Sequence, residues 1–119
     1  MANPVGFLTT ITLQNGNKYI VIGVPYGVCS TTNSTQNKAV TIDGITALFE
    51  GLSIRIKFSN AQTYNGNPKL NLNNLGAKSI KRNGSIYATQ YEWSDGEILD
   101  LVYDGESWII VNGGALKIG

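Results

Sequence analysis

From Gly51 to Ser59 the chain reads Gly-Leu-Ser-Ile-Arg-Ile-Lys-Phe-Ser, with Leu52, Ile54, Ile56 and Phe58 at every second position and polar residues between them. A period of two belongs to a β-strand with one face in a core and the other in water. After a loop rich in Asn, Gly and Pro, Asn60 to Pro68, the alternation resumes. Leu70 and Leu72 face in, while Lys69, Asn71 and Asn73 face out. It returns at the C-terminal side, where Leu99, Leu101 and Tyr103 share one face. Across Asp104-Gly105, Trp108 and Ile110 alternate with Ile109 and Val111. The centre of the chain is therefore organised by short strands, and nothing in it reads as a catalytic centre.

The joints between these runs carry turn chemistry. Gly76 interrupts one run, and Asn83-Gly84 suits a type I′ hairpin turn, with Ser85 to Ala88 pairing back across it. Tyr91-Glu92-Trp93 leads into a further turn at Asp95-Gly96. Toward the N-terminus, Phe7, Thr9, Ile11 and Leu13 alternate with Leu8, Thr10, Thr12 and Gln14, and Asn15-Gly16 turns the chain into Lys18 to Ile22. This hairpin, within residues 1–24, carries apolar residues on both faces. Either the domain covers both sides or one side meets another chain, which makes the hairpin a candidate assembly element. Pro25-Tyr26-Gly27 marks a break, and Val28 to Lys38 reads as an edge strand or a long loop. Ala39 to Ile42 is a short strand, and Ile45 to Glu50 is the one stretch compatible with a helical turn. Turn signals recur about every ten residues without a sustained helical period. The expected fold is all-β: one domain over residues 1–119, a compact antiparallel β-sandwich or small barrel built from short hairpins.

Charged residues make up only 14% of the chain against 42% hydrophobic, so Asn, Thr, Ser and 14 glycines carry the polar surface. Such a balance argues against disorder and fits an extracellular or particle-bound β protein. The net charge of +1 gives no field to gather nucleic acid or an anionic membrane. A single cysteine, Cys29, excludes an intrachain disulfide. No apolar run approaches the roughly 18 residues that span a bilayer, and Met-Ala-Asn-Pro-Val lacks the features of a signal peptide.

The chain contains no histidine, which removes the Ser-His-Asp and Cys-His arrangements and the commonest metal ligand. Cys29 has no basic neighbour in sequence and reads as a buried structural thiol. The carboxylates Asp95, Glu97, Asp100, Asp104 and Glu106 offer a pair for glycoside hydrolysis or a calcium site, but their spacing matches no known calcium loop. Asp95 and Asp104 are better explained as the first residues of Asp-Gly turns, and Asp100 and Glu106 as solvated positions. Lys78, Lys81 and Arg82 read as a solvated hairpin tip rather than a nucleic-acid site. No enzyme activity, cofactor or metal is expected.

The aromatics leave one binding expectation. Tyr64 with Asn65 and Asn67 in the central loop, and Tyr91 with Trp93 beyond it, have the chemistry of a sugar-binding face. The competing expectation puts Trp93 and Trp108 in the core.

Two segments resemble a known module. One is Tyr26-Gly27-Val28-Cys29-Ser30-Thr31-Thr32 followed by Lys38-Ala39-Val40-Thr41; the other runs from Gly51 through Thr63, Asn67 to Asn73 and Gly76-Ala77-Lys78. A closing hairpin, Tyr103-Asp104-Gly105-Glu106-Ser107-Trp108-Ile109-Ile110-Val111, completes the pattern. Over Tyr26 to Asn112 the chain is similar to a module of tail, tail-fibre and minor structural proteins of bacteriophages and prophages of gut bacteria. Gln62 stands where the module usually has Asn, and Asn74-Leu75 replaces its usual Gly-Thr. The resemblance implies a virion component, made in the bacterial cytoplasm, that works through contacts with other virion proteins. It implies a homo-oligomer such as a trimer, and it carries no catalytic residue. The alternative expectation is a receptor-binding or glycan-binding module that meets the host surface, without nucleic-acid binding or membrane insertion.

Overall fold

The structure is a computed structural model that describes residues 7–12 and 18–113, with side chains from Val24 onward. It is all-β, without an α-helix among the described residues. Ten strands follow in chain order: β1 Phe7–Thr12, β2 Lys18–Gly23, β3 Tyr26–Cys29, β4 Asn37–Val40 and β5 Ser53–Phe58; then β6 Lys69–Leu72, β7 Ala77–Asn83, β8 Ile86–Tyr87, β9 Glu97–Tyr103 and β10 Trp108–Asn112. β1 and β2 form a two-stranded antiparallel ribbon. The rest make one sheet in the order β3-β5-β9-β10-β7-β6-β4, with β8 beside β7.

That sheet curls until its first and last strands meet. A Cβ on Gly27 of β3 would stand 2.9 Å from the Val40 Cγ2 of β4 and 2.7 Å from the Ile42 Cγ1 beyond it. Glycine is what allows the nearly closed barrel to shut at this seam. Inside, the alternation read from the sequence holds. Leu52, Ile54, Ile56, Phe58, Leu70, Leu72, Leu99, Leu101, Tyr103, Trp108 and Ile110 are all buried. Their partners Arg55, Lys57 and Val111 face out.

The expectation of a purely antiparallel sheet needs correction. β3 runs parallel to β5, β4 to β6, and β7 to β10. Turn signals report only strands adjacent in sequence, and those are the antiparallel hairpins β6–β7, β7–β8 and β9–β10. Each parallel pair joins strands separated by at least one other strand, as a parallel connection requires.

Two turns also differ from the reading. Asn73 and Asn74 have φ of 53° and 57°, and Leu75 N donates to Leu72 O at 2.9 Å. This is the positive φ pair of a type I′ turn, so it lies here and not at Asn83-Gly84. Asn73 is thus no outward strand residue. Its Oδ1 accepts from Ile42 N at 2.8 Å, and its Nδ2 donates to Ile42 O and Ile45 O at 2.7 and 2.8 Å. At the other position the Asn83 side chain accepts from Ser85 N and Ile86 N at 3.0 and 3.2 Å, an Asx turn. Ile45 to Glu50 forms no helical turn; Leu52 N donates to Phe49 O at 3.0 Å, and Leu48 and Phe49 lie against the core. The Asn15-Gly16 turn lies outside the described residues.

Strand direction sorts the loops into two ends. Residues 30–36, 60–68 and 88–96 gather where β3 and β5 finish and β4, β6 and β9 start. Residues 41–52, the turns at 73–76 and 104–107, and the entry from β2 into β3 lie at the opposite end.

Candidate functional site

The three loops at the first end are knitted into one surface by hydrogen bonds to main-chain atoms. Thr63 N donates to Asn33 O at 3.0 Å, Gln62 N to Trp93 O at 3.1 Å, and Tyr91 N to Gln62 O at 2.7 Å. Side chains complete the mesh. Gln90 Nε2 reaches Thr63 O at 2.9 Å, Gln36 Nε2 reaches Asn67 O at 3.1 Å, and Asn60 Nδ2 reaches Ser30 O and Thr31 O at 3.2 and 3.0 Å. Gln62 is fully buried, and its amide closes on Tyr64 O and Tyr64 N at 2.9 and 3.3 Å. The Gln62 side chain therefore folds the loop from within and is not open to a ligand.

The structure separates the five candidate sugar contacts. Tyr91 is the exposed aromatic among them, at 64%, and its φ is 68°. A tyrosine in the left-handed region is uncommon and costs of order 1 kcal/mol or more, so the surrounding bonds must hold it there. Asn65 and Asn67 are exposed on the 60–68 loop. Tyr64 is half-buried, its ring lying over the Gly66 backbone, where a Cβ would meet Cε2 at 2.7 Å. Trp93 is a correction: it is 1% exposed, stacked on Phe58 with centroids 4.1 Å apart, and its Nε1 donates to Asn60 O at 3.1 Å. It anchors the loop from below and cannot touch a ligand. Trp108 is also core, but its Nε1 finds no partner.

Three polar groups behind this surface have roles that the sequence does not announce. Lys38 is buried on β4, and its Nζ donates to Thr32 O and Asn33 O at 3.3 and 3.0 Å. Burial pushes this ammonium below its usual pKa, while the Cys29 sulphur pulls the other way. The signal existed, since Lys38 and Val40 share the inward parity of β4. Arg82 and Glu92 form an ion pair in which Arg82 Nε donates to Glu92 Oε2 at 3.0 Å. Arg82 Nη1 also reaches Gly113 O at 3.1 Å, and Glu92 Oε1 accepts from Thr89 N at 2.9 Å. The solvated-tip reading is corrected for Arg82, while Lys81 sits over the Tyr87 ring at 4.8 Å from its centroid.

The carboxylates are dispersed. Asp95 accepts from Ala61 N at 2.7 Å, tying the 88–96 loop to the 60–68 loop instead of capping its own turn. Asp104 accepts from Glu106 N and Ser107 N at 2.9 and 2.7 Å, as an Asp-Gly turn should. Asp100 is not simply solvated. Arg55 Nε lies 2.6 Å from its Oδ1, and the hydrogen bond from Arg55, more than any other factor, holds its carboxyl below the usual range. Among the described residues no group of three His, Cys, Asp or Glu side chains converges as a metal site would require. No helix among them is long and apolar enough to cross a membrane.

No family model matches this chain, and no curated protein matches it.

Proposed function

We propose that this chain is a structural protein of a bacteriophage particle, of tail-fibre or head-fibre type, that acts through protein–protein contacts without catalysis. One observation carries the reading. The strands of the barrel begin at Tyr26 and end at Asn112, the span over which the sequence resembles the phage module, while among the described residues β1 and β2 pair only with each other. A two-stranded ribbon is marginal by itself in water. The register puts Phe7, Ile11, Tyr19 and Val21 on one face and Leu8, Ile20 and Ile22 on the other. Both faces thus call for cover, and a second copy of the chain can supply it. The ribbon enters β3 at the end opposite the loop surface, so assembly through it leaves that surface free.

Two measurements test the proposal. Mass spectrometry of purified phage particles from the encoding bacterium should find the chain as a stoichiometric component; its absence overturns the virion role. Light scattering over a range of concentrations should give a closed oligomer that Ile20→Asp converts to monomer. A wild-type monomer at every concentration would remove the self-assembly part.

A further inference from the structure

We propose that the loop end of the barrel is a binding site for a neutral oligosaccharide, with the ring of Tyr91 as its stacking platform. The inference goes beyond an assembly role and does not depend on it. Three observations converge. The first is charge. Loops 30–36 and 60–68 contain no ionisable group except Tyr64, and the two carboxylates of 88–96 are engaged, Glu92 with Arg82 and Asp95 with Ala61 N. Of the cations beneath, Arg82 is held by Glu92, and Lys38 is 1% exposed and turned toward Thr32 O and Asn33 O. Among the described residues one exposed cation borders this surface, Lys57 of β5, whose Cε would lie 4.0 Å from a Cβ on Gly96; a single charge at the rim gives phosphate, sulphate or nucleic acid little to hold.

The second observation is what the surface does present. Tyr91 is the most exposed large apolar side chain among the described residues, on a surface whose other exposed groups include Asn33, Ser34, Asn65 and Asn67. An aromatic face meets the C–H face of a pyranose, and amides and hydroxyls meet its hydroxyl groups in both donor and acceptor roles. The third is preorganisation. Tyr91 keeps its left-handed backbone because Tyr91 N donates to Gln62 O, while Gln62 N is bonded to Trp93 O. A fold that needed only a turn here would place Gly or Asn at this φ. Holding a tyrosine in it fixes the backbone that carries the ring, so less ordering of the loop is left for binding.

The test uses the full chain and a panel of neutral oligosaccharides, maltotriose, cellotriose, chitotriose and lactose, with a heparin oligosaccharide as the charged probe, read by isothermal titration calorimetry. At least one neutral sugar should bind, and the heparin oligosaccharide should not. Tyr91→Gly should weaken that binding by about tenfold or more. It should melt no lower than wild type, because glycine suits the φ of 68°. Tyr91→Phe should stay within about threefold of wild type, since the ring remains. Failure of every neutral sugar to bind overturns the proposal, as does a Tyr91→Gly protein of undiminished affinity or a preference for the heparin oligosaccharide.

Discussion

The barrel and the ribbon solve the problem of a β-strand's two faces in different ways. Along β5 the burial alternates strictly, Ile54, Ile56 and Phe58 inside and Arg55 and Lys57 outside. Every apolar side chain of that inner row is covered by the chain itself. Along β1 and β2 the register leaves apolar residues on both faces, and among the described residues no other strand pairs with either. A strand with one apolar face is completed by closing a barrel, whereas a strand with two must be completed by something else. The barrel's core is covered by its own strands, whereas the pairing of β1 with β2 does not by itself supply such cover.

The strongest way to break this comparison is to damage the barrel's buried ion pair. Glu92 is 4% exposed and holds Thr89 N as well as Arg82. Arg82→Met leaves that carboxylate without its cation, and the expected loss is about 3–5 kcal/mol in denaturant unfolding. A loss below about 1 kcal/mol would mean that the pair behaves as a solvated one. Next in size is Ile56→Ala, in the centre of the core, expected to cost about 2–5 kcal/mol. Ile20→Asp in the ribbon should leave the unfolding of the dissociated chain unchanged. If it instead destabilises as Ile56→Ala does, the ribbon packs on its own barrel and the comparison fails.

How much of this was legible in the sequence follows from the same distinction. Inward positions on β5, β6, β9 and β10 could be read because each strand states its parity locally, residue by residue. The parallel pairs could not, because no local signal links Tyr26 to Arg55 or Trp108 to Ile80. Asn73 fits a strand by parity, while its role depends on Ile42 and Ile45, some thirty positions away. The candidate site divided along the same line. Tyr91 and Trp93 are two apart and look alike in sequence. Only the bond from Trp93 Nε1 to Asn60 O and the stacking on Phe58 tell which of them points inward.

The seam gives a third, smaller effect. Gly27→Ala sets a Cβ within 3 Å of both Val40 and Ile42 side chains. Those are branched groups in a packed core, so the strands must part slightly. A loss of about 1–3 kcal/mol is expected. An unchanged melting temperature would mean that β3 and β4 stand apart in solution and that the sheet is open.

The smallest effect concerns acid. Asp100, bonded by Arg55, and Asp104, bonded by the Ser107 and Glu106 amides, both have carboxyl pKa values below the ordinary 3.8. Their folded-state values are depressed relative to the unfolded chain, so the folded state binds fewer protons than the unfolded one in this range. The stability they contribute is therefore fully present above the ordinary carboxylate value and is lost as pH falls through the lower folded values. Both groups meet solvent, on the outside of the barrel and at a turn, which keeps the effect small. Denaturant unfolding should be flat from neutral pH down to the ordinary value and fall below it, and Asp100→Asn should remove part of that fall. Because neither group lies on the ribbon, the mass in solution should not follow the same profile. Dissociation that tracks the titration of Asp100 would place the outer face of β5 and β9 in the assembly contact, and the division between a self-sufficient barrel and a dependent ribbon would have to be redrawn.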